Sequence, residues 1–410
     1  MNKSVDVAIV GAGPGGSTCA LALEHSGLSV ALIEREVFPR DKICGDALSG
    51  KVIDVLRKIA PEAEQALHQM PDKLGSHGIR FLAPSGELLD VPFRSQNGAE
   101  QGHPPGYISR RLEFDEFMAR LAASKPNVDL LEGQAVKALN RTDQGVEIEL
   151  PNETLHTKIV IGADGAHSVV NKTLGSIKVE KSHYSAGVRA YYKGVTGFHN
   201  ENFIELHYIK DLVPGYFWIF PLPNGRANVG LGMLSRDVSK GKVNLKERLL
   251  DVVQNHPEIS ARFKDATLEG KVLGFGLPLG SKRRPISGER FMLIGDAASL
   301  IDPFSGEGIG NAMLSGQEAA IQAVKCIQQE DFSAEFIQAY DAEVYRRLWT
   351  ELALSRRMQQ LAAFPWLFDF VVKKANRNSA IQEMMTMMFE NLDIRAQLRK
   401  PSFYAKLLLG

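Results

Sequence analysis

Cysteine is scarce in this chain of 410 residues: it has three, Cys19, Cys44 and Cys326. They lie far apart, no two form a CxxC pair, and the odd count argues against a disulfide framework or a zinc site. The ten histidines show no ligand spacing such as HExxH, so no metal centre is expected. Long apolar runs are missing too. No stretch reaches the roughly 18 residues that a membrane-spanning helix requires, and Met1-Asn2-Lys3-Ser4 leads into a strand-like segment with no signal-peptide core. Reduced thiols and a cytoplasmic location, at most peripheral to a membrane, follow as expectations. Nor is one charge in excess: 48 Lys and Arg balance 48 Asp and Glu. Without a basic stripe, a nucleic-acid partner is not expected. The hydrophobic content of 44% is ordinary for a globular protein, and the length points to two interleaved domains plus a tail.

What is present begins with a buried parallel strand. Val5 to Val10 is apolar except for Asp6 and stops at Gly11. Ser17 to His25 reads as a helix closed by Gly27, and Ser29 to Ile33 as a second strand, completing a βαβ unit. Helices are expected at Lys51 to Lys58 and Arg111 to Ala123, and strands at Val128 to Leu131, Val136 to Leu139, Gly145 to Leu150 and Lys158 to Ile161. Gly75 to Pro105 alternates poorly. Tyr184 to Met233 is β-rich and marks a second, sheet-based domain. A strand at Arg290 to Ile294 and a helix at Gly308 to Gln328 follow, and the chain from about Phe332 reads as helical.

Gly11-Ala12-Gly13-Pro14-Gly15-Gly16 fits GxGxxG. The first glycine makes a tight turn, the second lets backbone approach a pyrophosphate, and the third packs helix against strand. The helix start beyond it offers N–H groups and a positive dipole end to phosphates. Glu34, at the end of the second strand, is placed to accept hydrogen bonds from ribose hydroxyls. The fingerprint serves NAD and FAD alike. Two later segments separate them: Gly162-Ala163-Asp164-Gly165, and Gly295-Asp296-Ala297-Ala298 followed by Pro303-Phe304-Ser305-Gly306-Glu307-Gly308-Ile309. Asp296 at a strand end can hold a ribityl hydroxyl. The helix opening near Gly308 can aim its positive end at the N1–C2=O edge of a flavin, where the reduced ring carries negative charge.

With Arg111-Leu112-Glu113-Phe114-Asp115, these segments resemble the FAD-dependent monooxygenases of the p-hydroxybenzoate hydroxylase type. Pro39-Arg40-Asp41-Lys42-Ile43-Cys44-Gly45-Asp46, and Tyr216-Phe217-Trp218-Ile219-Phe220-Pro221 with the later Gly230-Leu231-Gly232, are similar to the geranylgeranyl reductase group within that superfamily. The likeness covers roughly residues 5 to 330. Asn171 departs from it, since an arginine usually follows the GADG segment. The resemblance implies an α/β fold: a Rossmann-like FAD-binding domain (1–75, 106–175 and 272–335) interleaved with an α+β, sheet-based substrate domain (76–105 and 176–271), then a helical region (336–410). It implies that Arg111 meets FAD opposite the pyrophosphate turn, that Gln134 to Val136 offer backbone to adenine, and that the GADG segment shapes the domain. The full cofactor set expected is Gly11, Ala12, Gly13, Pro14, Gly15, Gly16, Glu34, Arg35, Lys42, Cys44, Arg111, Ala135, Val136, Asp164, Gly295, Asp296, Gly306, Gly308 and Ile309.

On the substrate side, strand alternation puts Tyr216, Trp218 and Phe220 on one face and Phe217 and Ile219 on the other. Three aromatics on one face either fill a core or wall a narrow apolar pocket. The resemblance favours the pocket, with Gly230 and Gly232 beside it. A buried hydrocarbon gains about 0.8 kcal/mol per CH₂ there, and aromatic faces steady a developing carbocation. Cys19 and Cys326 lie in apolar helices. Cys44 lies in a polar loop where Lys42 favours its thiolate, and in the resembled group a cysteine here sits near the flavin. The reaction implied is reduction of carbon–carbon double bonds in an isoprenoid or lipid chain, with FAD reduced by transient NADPH or another external donor. Cys44, Tyr216 and Asp46 are the candidate proton donors. The rivals are an aromatic-hydroxylating flavin monooxygenase, a flavin halogenase, in which Tyr216 replaces the first of two expected tryptophans, and an electron-transfer flavoprotein. In the tail, Leu361 to Val372 with Lys373 and Lys374, and then Met384, Met385, Met387 and Met388, either cover the substrate domain or rest on a bilayer.

Overall fold

The computed structural model describes residues 2–93 and 102–378. Met384 to Met388 lie outside them, as does the end of the helical region expected over 336–410.

The nucleotide sheet grows outward from the strand Asn2–Val10, whose central residues Val7, Ala8 and Ile9 are wholly buried. It pairs in parallel with Val30–Ile33 on one side and Thr154–Gly162 on the other. Val128–Leu131 and Phe291–Leu293 extend the parallel order outward, and Ser287–Gly288, Val146–Glu149 and Ala138–Arg141 add antiparallel pieces. Apolar residues nearly throughout the central strands are what a sheet covered by helices on both faces requires. The carboxyl end of the first strand is where doubly wound sheets open a crevice for ligands.

The second sheet has seven strands, in the order Thr267–Pro278, Tyr184–Lys193, Arg226–Leu234, Tyr216–Leu222, Ile204–His207, Gly78–Leu82 and Leu88–Pro92. All pairs are antiparallel except Gly78–Leu82 with Ile204–His207. The poorly alternating stretch after Gly75 therefore supplies two strands of this sheet. The domain boundary expected at 271 falls inside the strand Thr267–Pro278, so the second sheet takes more of the chain than the pattern implied. A three-stranded sheet of Ala47–Leu48, Gly106–Ser109 and Lys73–Ser76 joins the two.

The first helix spans Pro14–Ala22, not Ser17 to His25. Proline fits the first helical position because no N–H is needed there, so the helix starts inside the glycine turn; Glu24–Ser26 forms a separate 3₁₀ turn before Gly27. Four helices escaped the sequence pattern, Pro61–Gln69, Val169–Thr173, Ser235–Gly241 and Leu245–Asn255. The expected late helix is Ile309–Gln329. Ala334–Ala362 and Pro365–Ala375 follow it and are built into both domains: Tyr340, Leu348 and Leu352 pack in the core of the nucleotide sheet, while Met358, Phe368 and Val372 pack against the aromatic face of the second.

Candidate active site

One cavity of about 930 Å³ runs from the glycine turn to the aromatic face of the second sheet. At the turn, Gly11 has φ +102°, and a Cβ there would lie 2.5 Å from the Ala163 carbonyl oxygen. A Cβ on Gly16 would lie 1.9 Å from the Gly11 carbonyl oxygen, so only glycine lets the helix approach the strand. Gly11, Gly13, Pro14 and Gly15 line the cavity. Ala12 and Gly16, expected to touch the cofactor, do not line it: Gly16 packs under the turn, and the Ala12 N–H donates to Glu34 Oε2 at 3.2 Å.

The turn is flanked by cations. The Arg40 and Arg111 guanidinium groups each approach the Cβ position of Gly13 to 3.8 Å, which leaves backbone-sized room beside two positive charges. Both bind the buried Asp115. Burial alone would raise the Asp115 carboxyl, but Arg111 and Arg40 outweigh it and hold it below the usual range. Glu34 lines the cavity with both oxygens already engaged, by the Ala12 and Glu36 N–H groups and by Arg40. Arg35, Ala135 and Val136 also line it. Across the crevice, Lys42 Nζ donates to Asp296 Oδ2 at 2.9 Å, pairing two residues that the sequence had placed separately at the cofactor. Gly295, Gly306, Gly308 and Ile309 complete this wall, and the helix Ile309–Gln329 presents its N-terminus to the cavity.

Among the described residues, four that line the cavity carry a buried side-chain oxygen without a protein hydrogen-bond partner: Asp46 Oδ1, Ser49 Oγ, Gln134 Oε1 and Asp164 Oδ1. Buried polar atoms of this kind are normally satisfied by ligand or water. With the glycine turn, the two arginines and the helix N-terminus, the last three of these oxygens fit a long polar ligand with a pyrophosphate in its middle, as FAD is. The other oxygen of Asp164, Oδ2, caps the short helix Val169–Thr173 through the Val169 and Val170 N–H groups. Asn171, where the resembled family has arginine, is bonded to the Ile177 backbone at 2.9 and 3.0 Å and locks its own loop.

Tyr216, Trp218 and Phe220 all line the far part of the cavity. Phe217 and Ile219 point the other way, wholly buried in the core against the helix Leu245–Asn255. The Tyr216 hydroxyl donates to the Ser305 carbonyl at 2.9 Å, tying the aromatic strand to the cofactor wall; burial pushes its pKa up. Gly230 and Gly232, expected at the substrate, do not line the cavity. A Cβ on Gly230 would lie 2.1 Å from the Trp218 ring, so this glycine makes room behind the indole instead.

Cys44 and Asp46 sit between the two halves. The Cys44 side chain lies beside the Arg111 guanidinium, and its carbonyl accepts from Asn228 Nδ2 at 2.7 Å. Asp46 is fully buried, and its Oδ2 accepts from Tyr191 Oη and from Asn228 Nδ2, each at 2.7 Å. Burial raises its pKa more than Asn228, Arg189 and Tyr191 lower it, pushing the carboxyl up to about 6.

Sequence reasoning missed Asn228 and Tyr191, and also a buried pair on the cofactor wall. Lys51 Nζ binds Asn311 Oδ1 at 2.7 Å and the Glu351 carboxylate at 3.1 Å, and Lys51 and Glu351 both line the cavity. Burial raises the Glu351 pKa despite Lys51. The one available signal was a lysine among Val52, Ile53 and Val55 on an amphipathic helix, a pattern that ordinarily means a solvated face.

Comparison with known proteins agrees with this geometry. The family model described as FAD binding domain matches residues 4–353. A digeranylgeranylglycerophospholipid reductase of Thermoplasma acidophilum is 30% identical over 84% of this chain and 84% of its own length. A menaquinone reductase of Mycobacterium tuberculosis is 28% identical over 96% of this chain and 92% of its own. Among solved structures, a geranylgeranyl bacteriochlorophyll reductase-like protein of Thermoplasma acidophilum superposes with a TM-score of 0.75 at 25% identity, covering 91% of both chains. The chain belongs to the FAD binding domain family, in its geranylgeranyl reductase group, and is an FAD-dependent oxidoreductase.

Proposed function

We propose that this protein saturates carbon–carbon double bonds of an isoprenoid chain carried on a lipid or a quinone. The observation that carries the reading is the continuity of one cavity: the face of Tyr216, Trp218 and Phe220 opens into the same space as the glycine turn. Phe275, Ile79, Phe93 and Ile204 extend that space with further apolar surface. A prenyl chain needs such a wall, gaining about 0.8 kcal/mol per buried CH₂ with few polar contacts. The names of the relatives, a reductase of geranylgeranyl lipids and a reductase of menaquinone, support an isoprenoid-bearing substrate.

FAD, when bound, supplies hydride chemistry at its reduced ring. The residues of this chain do the rest. Arg40 and Arg111 neutralise phosphate charge at the turn, and the N-terminus of Ile309–Gln329 favours negative charge on the ligand edge it faces. Tyr216 and Trp218 hold the alkene and steady positive charge on its substituted carbon. The electrons enter from NADPH or another external donor that visits the site transiently.

The test is to reduce the FAD-loaded protein anaerobically, offer a geranylgeranyl lipid and menaquinone separately, and weigh the products. A gain of two hydrogens per chain double bond that survives air oxidation of any quinol supports the reading. A hydroxylated or halogenated product formed only with oxygen overturns it in favour of a monooxygenase or a halogenase. Reoxidation by a partner protein with neither substrate altered overturns it in favour of electron transfer.

A further inference from the structure

We infer that Asp46 is the acid that protonates the substrate carbon, with Asn228 and Tyr191 holding its carboxyl in register. The inference rests on the reduction proposed above. The three side chains that the sequence offered as proton donors, Cys44, Tyr216 and Asp46, all line the cavity, and their partners separate them. The Tyr216 proton is committed to the Ser305 carbonyl. The Cys44 sulfur faces the Arg111 guanidinium, whose N–H groups can only donate. Asp46 differs from both. Its Oδ2 takes two donors, while its Oδ1 is buried on the cavity wall with no protein partner. A proton on Oδ1 therefore has no acceptor in the protein and is available to a substrate.

The surroundings keep that proton in place until it is needed. Asp46 is held at φ +71°, a left-handed conformation that a non-glycine residue adopts at a cost. Asn228 is completely buried and acts on three neighbours at once. Its Oδ1 accepts from Trp218 Nε1 at 2.9 Å, and its Nδ2 donates to the Cys44 carbonyl and to Asp46 Oδ2. One side chain thus fixes the indole wall, the cysteine loop and the acid together. Burial and the neighbouring Asp46 push the Tyr191 pKa up, so Tyr191 keeps its proton and serves as a fixed donor. The charged groups facing this cluster are Arg189, which stacks on the Tyr191 ring and pairs with Asp41, and Arg110. Burial outweighs their pull, and the Asp46 carboxyl titrates near 6, within reach of neutral pH.

In the reaction, Asp46 releases its proton to one alkene carbon while the other receives a hydride. The C=C bond becomes CH–CH. The two electrons originate in an external donor of the reduced nicotinamide class, and the Asp46 carboxylate recovers its proton from water. Asn228 and Tyr191 are positioning residues in this scheme.

The experiment is anaerobic single turnover of reduced, FAD-loaded protein with a geranylgeranyl lipid, followed by flavin absorbance and product mass across pH 5 to 9. Asp46→Asn keeps an oxygen for Tyr191 and Asn228 but has no acidic proton. It is expected to bind FAD within about twofold of the parent and to lose at least about a hundredfold in the substrate-dependent rate, the lower end of the range for general acid catalysis. Tyr191→Phe removes a hydrogen bond that lowers the Asp46 pKa, so the fall in rate toward high pH is expected to move to higher pH. A purely structural tyrosine would lower the rate without moving that limb. Full activity in Asp46→Asn, or a hundredfold loss confined to Cys44→Ser or Tyr216→Phe, overturns the assignment and leaves the reduction standing. No reduction by the parent protein overturns both.

Discussion

A single buried carboxyl shows how far local chemistry was readable. The polar loop around Cys44 marked Asp46 as a candidate, yet its controlling partners come from strands distant in sequence: Tyr191 is 145 residues away and Asn228 is 182. Lys51 and Glu351 are 300 residues apart. A pattern reading sees residue types and spacing, and an asparagine in a strand carries no mark of the carboxyl it will meet. The burial of Asp46 has a consequence for stability. Its pKa rises from 3.8 to about 6 on folding, so the folded state favours the protonated form. That contribution is complete below pH 4 and is lost as pH rises through 6. The difference corresponds to about 3 kcal/mol, as an order of magnitude. Asp46→Asn has no such titration, so its stability relative to the parent should improve by about that amount between pH 4 and pH 7. Urea unfolding at matched FAD saturation measures it; a difference that stays flat across this range would contradict a raised carboxyl.

Among the elements, strand alternation did most of the work. It separated the cavity face of Tyr216, Trp218 and Phe220 from the core face of Phe217 and Ile219, because successive side chains in a strand must point to opposite sides. The glycine pattern was legible in type but not in role. Gly230 lies opposite Trp218 in the strand pairing, so its missing side chain admits the indole instead of a substrate. Thr267–Pro278 went unseen because it is an edge strand, largely exposed, with Gly270, Gly274 and Gly276 diluting its β signal. Gly230→Ala tests the packing role. The new methyl meets the Trp218 ring and also the Val188 carbonyl at 2.4 Å, so something must move. A loss of roughly 1–3 kcal/mol in stability is expected from such overpacking, with a rise in KM for the lipid of about tenfold. FAD content should hold, since the glycine turn belongs to the other sheet. Loss of flavin with unchanged KM would overturn this packing role and place Gly230 at the cofactor.

For the molecule as a whole, the interleaving of two sheets was readable from the order of motifs, but the role of the last helices was not. Ala334–Ala362 spreads its apolar residues over two cores, and no single periodic stripe announces that division. The next helix presents two faces. Phe368 and Val372 cover the substrate sheet, whereas Phe364, Trp366 and Phe370 are 56%, 71% and 55% exposed, with Lys373 and Lys374 exposed beyond them. Among the described residues no helix is long and apolar enough to cross a membrane. Exposed aromatics next to lysines suit the boundary of an anionic bilayer, where rings enter the acyl edge and ammonium groups meet headgroups. The FAD-loaded protein is therefore expected to sediment with phosphatidylglycerol vesicles, more weakly with phosphatidylcholine, and less as salt is added. Trp366→Ser with Phe370→Ser should cut the binding at least tenfold without lowering the melting temperature, because neither ring belongs to a core. Equal sedimentation of the parent and the double variant would mean that this helix face is not a surface that meets lipid, and a prenyl substrate of the kind proposed would have to reach the aromatic wall from elsewhere.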